Sequence, residues 1–445
     1  MPNTIEFSDE FEKRIDRVTN IHIYLNELLD KLPDAVPDAI KEKIVNTISG
    51  NEGLKVLIKG IKERRAPRFI LVGRTGSGKS SLINALFGKY LAHTSDVMVG
   101  TYKIKKYDYY LNGKLIFEFL DTRGIADLGK DSIDVLINAV GIFAPDGVMY
   151  VKRANDRDNL EKDLEALSKV LNKINDFVKN TFNTNIPLIA VLNASDELMP
   201  ARLKKPEEYD NRKLKNIKDS EKQLSDLFIN YNIQAVEIIS VSSYLEWNCE
   251  GHPSDLSESK RQELEISFDG RYQIDKLLNL IENNIDLSAA IYLMMLSRCE
   301  HAVKKIANRF IHSFSSASSV IGLAPIPFSD IFVLLPLQIM LTMLIAYLAG
   351  RELNWNVARE FLSAMGLITG VGMLFRWTAQ QLSKFLNAPF PGFGSAISGA
   401  IAYTGTYTIG KAAVAYFIDD ISIEDIKSKL SSFKNEGDAE QNLVS

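Results

Sequence analysis

The sequence predicts an α/β fold: a doubly wound, mainly parallel sheet flanked by N-terminal helices and followed by an all-α apolar domain. Three observations carry that prediction. Residues 68–88 read RFILVGRTGSGKSSLINALFG, an apolar run, a glycine-rich loop and a helix-like run in direct succession. From residue 68 to about 284, further strand-like runs alternate with amphipathic ones, the pattern of a parallel sheet buried on both faces. After about residue 287 charge becomes sparse: 15 residues between 287 and 420 are Asp, Glu, Lys or Arg, about 11% against 24% over the chain.

Composition bounds the rest. A chain of 445 residues has room for two or three domains. Its 46% hydrophobic and 24% charged residues fit a folded protein. A net charge of -4 supplies no basic field for nucleic acid. Cys249 and Cys299 have no metal-like spacing and predict no disulfide framework, which suits a reduced, cytosolic setting for the hydrophilic part. The start, MPNTIEFSDEFEKRID, lacks the apolar core of a secretory signal.

In chain order, residues 1–65 predict a helical arm. FEKRIDRVTNIHIYLNELLDKL places apolar residues at helical spacing. Pro33 and Pro37 interrupt it, and a second helix over 38–49 stops at Ser49-Gly50-Asn51. The α/β domain is expected over 66–285, with strands at 68–72, 114–121, 147–153, 186–193 and 235–242. Within it, residues 203–223 (LKKPEEYDNRKLKNIKDSEKQ) read as a polar surface loop or insertion without chemistry. An apolar helical domain follows over 286–430, then a polar tail over 431–445.

Gly73-Arg74-Thr75-Gly76-Ser77-Gly78-Lys79-Ser80 satisfies G-x-x-x-x-G-K-[ST] between a strand and a helix, with Ser81 following. The glycines let backbone N–H groups close around phosphate oxygens at a helix N-terminus. Lys79 is expected on the β- and γ-phosphates, and the Ser80 hydroxyl on Mg²⁺. Asp121 ends the strand LIFEFLD, 42 positions after Lys79, as a Walker-B carboxylate would. Gly124 of Asp121-Thr122-Arg123-Gly124 offers an N–H that could sense the γ-phosphate.

GRTGSGKSSLINALFG and DTRG resemble the Era-like (TrmE–Era) branch of GTPases over about 220 residues. The resemblance implies a Ras-like P-loop domain binding GTP and GDP with Mg²⁺, a switch loop, and a base-reading motif after a later strand. Thr101 is the preferred switch threonine and Mg²⁺ ligand, with Thr94 its competitor. The base-reading pattern [NT]-K-x-D departs here to Asn193-Ala194-Ser195-Asp196. Asp196 can still accept from guanine N1–H and the exocyclic amine. Ala194 lacks the lysine stem that covers the base. Asn193 reads either as part of the motif or as a strand-end cap. Ser242-Ser243 best matches the last motif.

Hydrolysis is expected to be slow. Ile125 stands where Ras-like enzymes orient water with Gln, and Gly76 stands where some relatives bind K⁺ through Asn. Arg74 and Arg123 are the candidate fingers, in cis or across a G-domain homodimer.

Residues 331–350 (IFVLLPLQIMLTMLIAYLAG) are uncharged and would reach about 30 Å as a helix, the hydrocarbon thickness of a bilayer. The competing expectation is a soluble bundle whose central helix is buried all round. Residues 361–375 and 385–410 are also uncharged. The segment from residue 315 to 350 resembles an uncharacterised helical domain found after Era-like G domains in bacteria. Together these imply a GTP-binding switch coupled to a helical domain with lipid contact through 311–415. The G domain would be cytoplasmic and held at the inner membrane, or the whole chain cytoplasmic. The alternatives are a dynamin-like or immunity-related membrane-remodelling GTPase and a ribosome- or RNA-associated factor.

Overall fold

The computed structural model describes the chain except residues 1–7, 32–37, 75, 92–96, 99–104, 112, 122–136, 138, 157–159, 183–184, 258–259, 262, 323–332, 366–392 and 445. The described chain divides into two compact units. One is Arg64–Ser297; the other joins Met1–Glu63 to Arg298–Ser445.

The chain opens with four helices, α1 (Asp9–Val18), α2 (Ile21–Lys31), α3 (Asp38–Gly50) and α4 (Glu52–Lys62). Ser8 caps α1 by accepting from Phe11 N at 3.1 Å, and Asn51 caps α4 through Leu54 N at 2.9 Å.

The α/β unit follows. Its elements are β1 (Arg68–Val72), α5 (Lys79–Phe87), β2 (Val97–Met98), β3 (Lys105–Leu111), β4 (Lys114–Asp121), β5 (Gly147–Arg153), α6 (Leu160–Phe182), β6 (Leu188–Asn193), α7 (Asn211–Asn230), β7 (Glu237–Ser240), β8 (Ser242–Trp247), β9 (Ile266–Tyr272), α8 (Ile274–Asn284) and α9 (Leu287–Ser297). Seven strands form one sheet in the order β2-β3-β4-β1-β5-β6-β7. The pairs from β4 to β7 are parallel, and β2-β3-β4 are antiparallel. The predicted doubly wound, mainly parallel sheet is thus present. Its central strands β1, β5 and β6 are mostly apolar and buried, as strands covered on both faces are. On one face Ile70, Val148 and Ala190 meet Leu167 and Ile174 of α6. Elsewhere in the unit Phe69, Phe117 and Phe119 stack, the last two with centroids 4.6 Å apart. β8 and β9 form a separate antiparallel hairpin, which the strand periodicity did not announce.

Glu118 on β4 carries one pH-dependent prediction. Its side chain is 6% exposed and pairs with Arg68 Nε at 2.7 Å and Lys106 Nζ at 2.6 Å. Burial pushes its carboxyl up, but the hydrogen bonds from Lys106 and Arg68 outweigh burial and hold it below the ordinary 4.5. A carboxyl with a lowered folded pKa stabilises fully above its unfolded pKa and loses that contribution as pH falls through the folded value. Glu118→Gln is expected to cost about 1–3 kcal/mol at neutral pH. In urea titrations its gap from the wild type should close as pH drops below 4.5. A gap that stays constant into acid would refute the pairing.

The helical unit continues with α10 (Cys299–Gly322), α11 (Leu335–Leu348), α12 (Trp355–Ala364), α13 (Phe393–Phe417) and α14 (Ile423–Val444). α10 packs on α13 and on α3 of the N-terminal segment. Gly410 of α13 permits a close approach, since a Cβ there would meet Ile311 Cγ1 at 2.5 Å. Among the described residues, no helix is long and apolar enough to cross a membrane. Of the uncharged run 331–350, α11 takes 14 residues, about 21 Å at the helical rise, short of the roughly 30 Å of a hydrocarbon core. Every residue from 337 to 348 is buried. α11 is apolar on all sides because protein encloses it. Its polar groups are satisfied internally: Gln338 Nε2 donates to Thr406 Oγ1 at 3.2 Å, and Thr406 in turn to Ser318 Oγ at 2.8 Å.

Candidate nucleotide-binding site

β1 runs straight into the phosphate loop. Gly73 has φ 155° and Gly78 φ 82°, values a side chain rarely adopts. A Cβ on Gly73 would stand 2.2 Å from the Val151 backbone oxygen, and one on Gly78 2.3 Å from Asn193 Nδ2. Both glycines are therefore demanded by neighbouring strands as well as by φ. Gly73→Ala is expected to cost at least about 2 kcal/mol, because the obstructing atom belongs to the backbone of β5. Thermal unfolding of the purified variant checks this, and an unchanged midpoint would contradict the clash.

Lys79 opens α5 and folds its ammonium back over the loop, donating to Gly73 O at 2.8 Å and Arg74 O at 2.9 Å. Asn193 ends β6, 1% exposed, and its Nδ2 donates to Ser77 O at 3.3 Å and Gly78 O at 3.1 Å. Asn193 thus braces the phosphate loop from the neighbouring strand end. Its Oδ1 and the Ser77 Oγ have no hydrogen-bond partner among the described residues. Arg74 pairs with Asp163, Nε to Oδ2 at 2.6 Å, so as a finger it would first have to leave α6.

Asp121 sits at the end of β4 with its backbone in register with Leu71 of β1, two residues before Gly73. Its side chain, Thr75, Thr101 and Gly124 lie outside the described residues, as do Thr94, Arg123 and Ile125.

Asp196 lies in a short 3₁₀ turn, Ser195–Glu197, directly after β6. It is 3% exposed. Oδ1 accepts from Ser242 Oγ at 2.9 Å, and Oδ2 from Lys204 Nζ at 2.7 Å. Ser242 is fully buried, and Ser243 beside it lines the cleft. Ala194 turns the chain through φ 57°. Beneath the turn, Lys213 of α7 is fully buried and donates to Asp196 O at 2.8 Å, Leu198 O at 2.9 Å and Pro200 O at 3.1 Å. Burial pushes its ammonium below the ordinary lysine range, against the pull of Asp196.

Lys204 and Lys213 correct the expectation that residues 203–223 are a surface loop without chemistry. That stretch holds a 3₁₀ turn, Pro206–Glu208, and the first half of α7. Lys204 pairs with the Asp196 carboxylate, and Lys213 holds the backbone of the same turn. Nothing in their sequence spacing separates them from the solvated lysines around them.

A cleft of about 730 Å³ joins these groups. Gly76, Ser77, Gly78, Ser80 and Ser81 line its phosphate end, and Asn193, Asp196 and Ser243 line it further along. The residues fit a nucleoside polyphosphate: a glycine-rich backbone loop before a helix N-terminus, a lysine folded over that loop, and a buried carboxylate lining the cleft. Among the described residues no group of three or more His, Cys, Asp or Glu could hold a metal by itself. Mg²⁺ would instead depend on Ser80 and the expected Thr101 and Asp121.

Comparison with known proteins agrees with this geometry. Residues 68–194 match the family described as 50S ribosome-binding GTPase. The tRNA modification GTPase MnmE of Shewanella frigidimarina is 32% identical over 142 residues, 31% of this chain and 30% of that protein. The same enzyme of Shewanella pealeana is 29% identical over 142 residues, with the same coverage of 31% and 30%. The chain therefore spans under a third of the length of these relatives. Among solved structures, Toc33 from Arabidopsis thaliana in complex with Mg²⁺ and GMPPNP is 14% identical, with a TM-score of 0.29 over 59% of this chain and 92% of that one. The G domain of the T. maritima FeoB iron transporter is 17% identical, TM-score 0.23, over 40% of this chain and 89% of that one. The matched segment contains the phosphate loop, the strand-end Asp121 and the start of the base-reading turn, so this chain is a GTP-binding protein built on a P-loop GTPase G domain.

Proposed function

We propose that the chain is a GTP-operated switch of the Era-like kind, with slow intrinsic hydrolysis, in which bound nucleotide biases the helical unit. The observation that carries this reading is Asp196, a buried carboxylate held by Ser242 and Lys204 in one cleft with the phosphate loop. Each carboxylate oxygen has two lone pairs, so Asp196 retains one on each for guanine N1–H and the 2-amino group. Backbone groups of the phosphate loop and Lys79 take the phosphates. Ser80, Asp121 and Thr101 hold Mg²⁺, which neutralises developing phosphate charge when bound, and the Gly124 N–H senses the γ-phosphate. Slowness rests on Ile125, on Gly76 and on the engagement of Arg74 by Asp163. The expected result is GDP bound far more tightly than ADP. Single-turnover GTP hydrolysis should be slow and rise with protein concentration as G domains pair. A fast rate independent of concentration would remove the slow-switch reading.

The helical unit is proposed to meet a membrane surface through residues within 311–415, not to cross the bilayer. Support comes from the sparse charge of residues 287–420 and from the absence of a long enough helix among the described residues. The protein should then appear in washed membranes and be released by carbonate. Lipid-stimulated, cooperative hydrolysis would mark it as membrane-remodelling. A second reading, a ribosome- or RNA-linked factor, is favoured by the names attached to the match over 68–194. Cosedimentation with ribosomes in place of membranes would select it.

A further inference from the structure

The cleft extends past Asp196 to the β8–β9 hairpin. β8 starts at Ser242, which fixes Asp196, and ends at Trp247. Trp247 lines the cleft together with Tyr90, which closely follows the helix behind the phosphate loop. Their rings stand edge to face, centroids 5.7 Å apart at 89°. The hairpin is tied to that same helix: Arg271 of β9 donates to Ala85 O at 3.2 Å, with its guanidinium also held by Asp269 at 2.7 Å. Tyr244, on the same strand, is already engaged by the Lys204 ammonium, 5.2 Å from its ring centroid, and by Glu246. At the base-reading turn, Ala194 offers only a methyl group.

We propose that Trp247, braced by Tyr90, covers the purine ring and supplies the contact that Ala194 cannot. The proposal rests on the guanine-nucleotide reading above. A purine bound through Asp196 needs an apolar surface against its flat face, and the Trp247 indole, packed on Tyr90 in the same cleft, provides one. Stacking is indifferent to base identity, because every base has a π face. Trp247 therefore sets affinity, while Asp196 sets the choice of guanine.

The test titrates GDP, inosine diphosphate and inorganic tripolyphosphate, with Mg²⁺, into the full chain and into Trp247→Ala and Trp247→Phe. Trp247→Ala should weaken both diphosphates roughly 5- to 100-fold, keep their ratio, and leave tripolyphosphate unchanged. Trp247→Phe should restore most of the loss. GDP affinity unaltered by Trp247→Ala, or an equal loss of tripolyphosphate, would overturn the proposal. A wild type that binds tripolyphosphate but not GDP would remove the guanine reading itself. Should Trp247→Ala fail to fold, alkylation of the wild type decides. Cys249 lines this cleft and Cys299 is buried elsewhere. GDP, and not tripolyphosphate, should protect Cys249 from iodoacetamide, and equal labelling with either ligand overturns the proposal.

Discussion

Asp196→Asn is expected to lower GDP affinity at least about a hundredfold and to make xanthosine diphosphate the better ligand. Guanine presents two donors, N1–H and the 2-amino group, to one carboxylate. Charge-assisted hydrogen bonds contribute about 1.5–3 kcal/mol each, and two of them account for a hundredfold or more. An Asn offers one acceptor and one donor, and xanthine carries a carbonyl where guanine has the amine, so the pairing is restored with the partners exchanged. The variant keeps the volume of the side chain and the Ser242 contact, while Lys204 loses its charge partner. Competition between the two diphosphates for the purified chain decides the matter. Retained preference for GDP in the variant would show that Asp196 does not read the base.

Lys213→Met is expected to open the base-reading turn. The thioether keeps the apolar stem and removes a fully buried ammonium that serves three carbonyls. Each buried carbonyl left without its donor costs about 1–3 kcal/mol. Asn216 of α7 also donates to Met199 O at 2.8 Å, so the turn keeps one tie to the helix and the loss should appear locally before it appears globally. The Leu198 amide, bonded to Ser195 O at 3.2 Å, is the reporter: its exchange should quicken about a hundredfold or more. GDP affinity should fall with it. Exchange matching the wild type would mean that Met fills the site without loss.

Sequence alone disclosed what depends on local pattern. The phosphate loop is legible because G-x-x-x-x-G-K-[ST] demands glycines at fixed positions, and Gly73 and Gly78 meet that demand through φ and through strand contacts. The five parallel strands are legible because burial on both faces leaves continuous apolar runs. Asn193 had two readings, and periodicity could not choose between them; the choice depends on β6 ending beside the phosphate loop, where its amide braces Ser77 and Gly78. Lys204 and Lys213 were invisible. A lysine that neutralises a buried carboxylate or fills a ring of carbonyls has the same sequence appearance as its exposed neighbours, and only the tertiary path of the chain distinguishes them. The uncharged run 331–350 was ambiguous for a different reason. Enclosure by protein and enclosure by lipid select the same residues, so the pattern of residues by itself leaves both readings open.

The helical unit is assembled from two stretches that are far apart in the order of synthesis. Ile44 and Ile48 of α3 are fully buried, and α3 packs on α10, yet α10 is translated only after the whole of 64–297. At usual elongation rates of 5–20 residues per second, the early helices wait roughly ten to fifty seconds with their apolar faces uncovered. The intervening GTPase unit can mature in that interval, since its own sheet and helices are contiguous in the chain. Nascent protein therefore passes through a stage in which the nucleotide site is complete and the apparatus it is proposed to control does not yet exist.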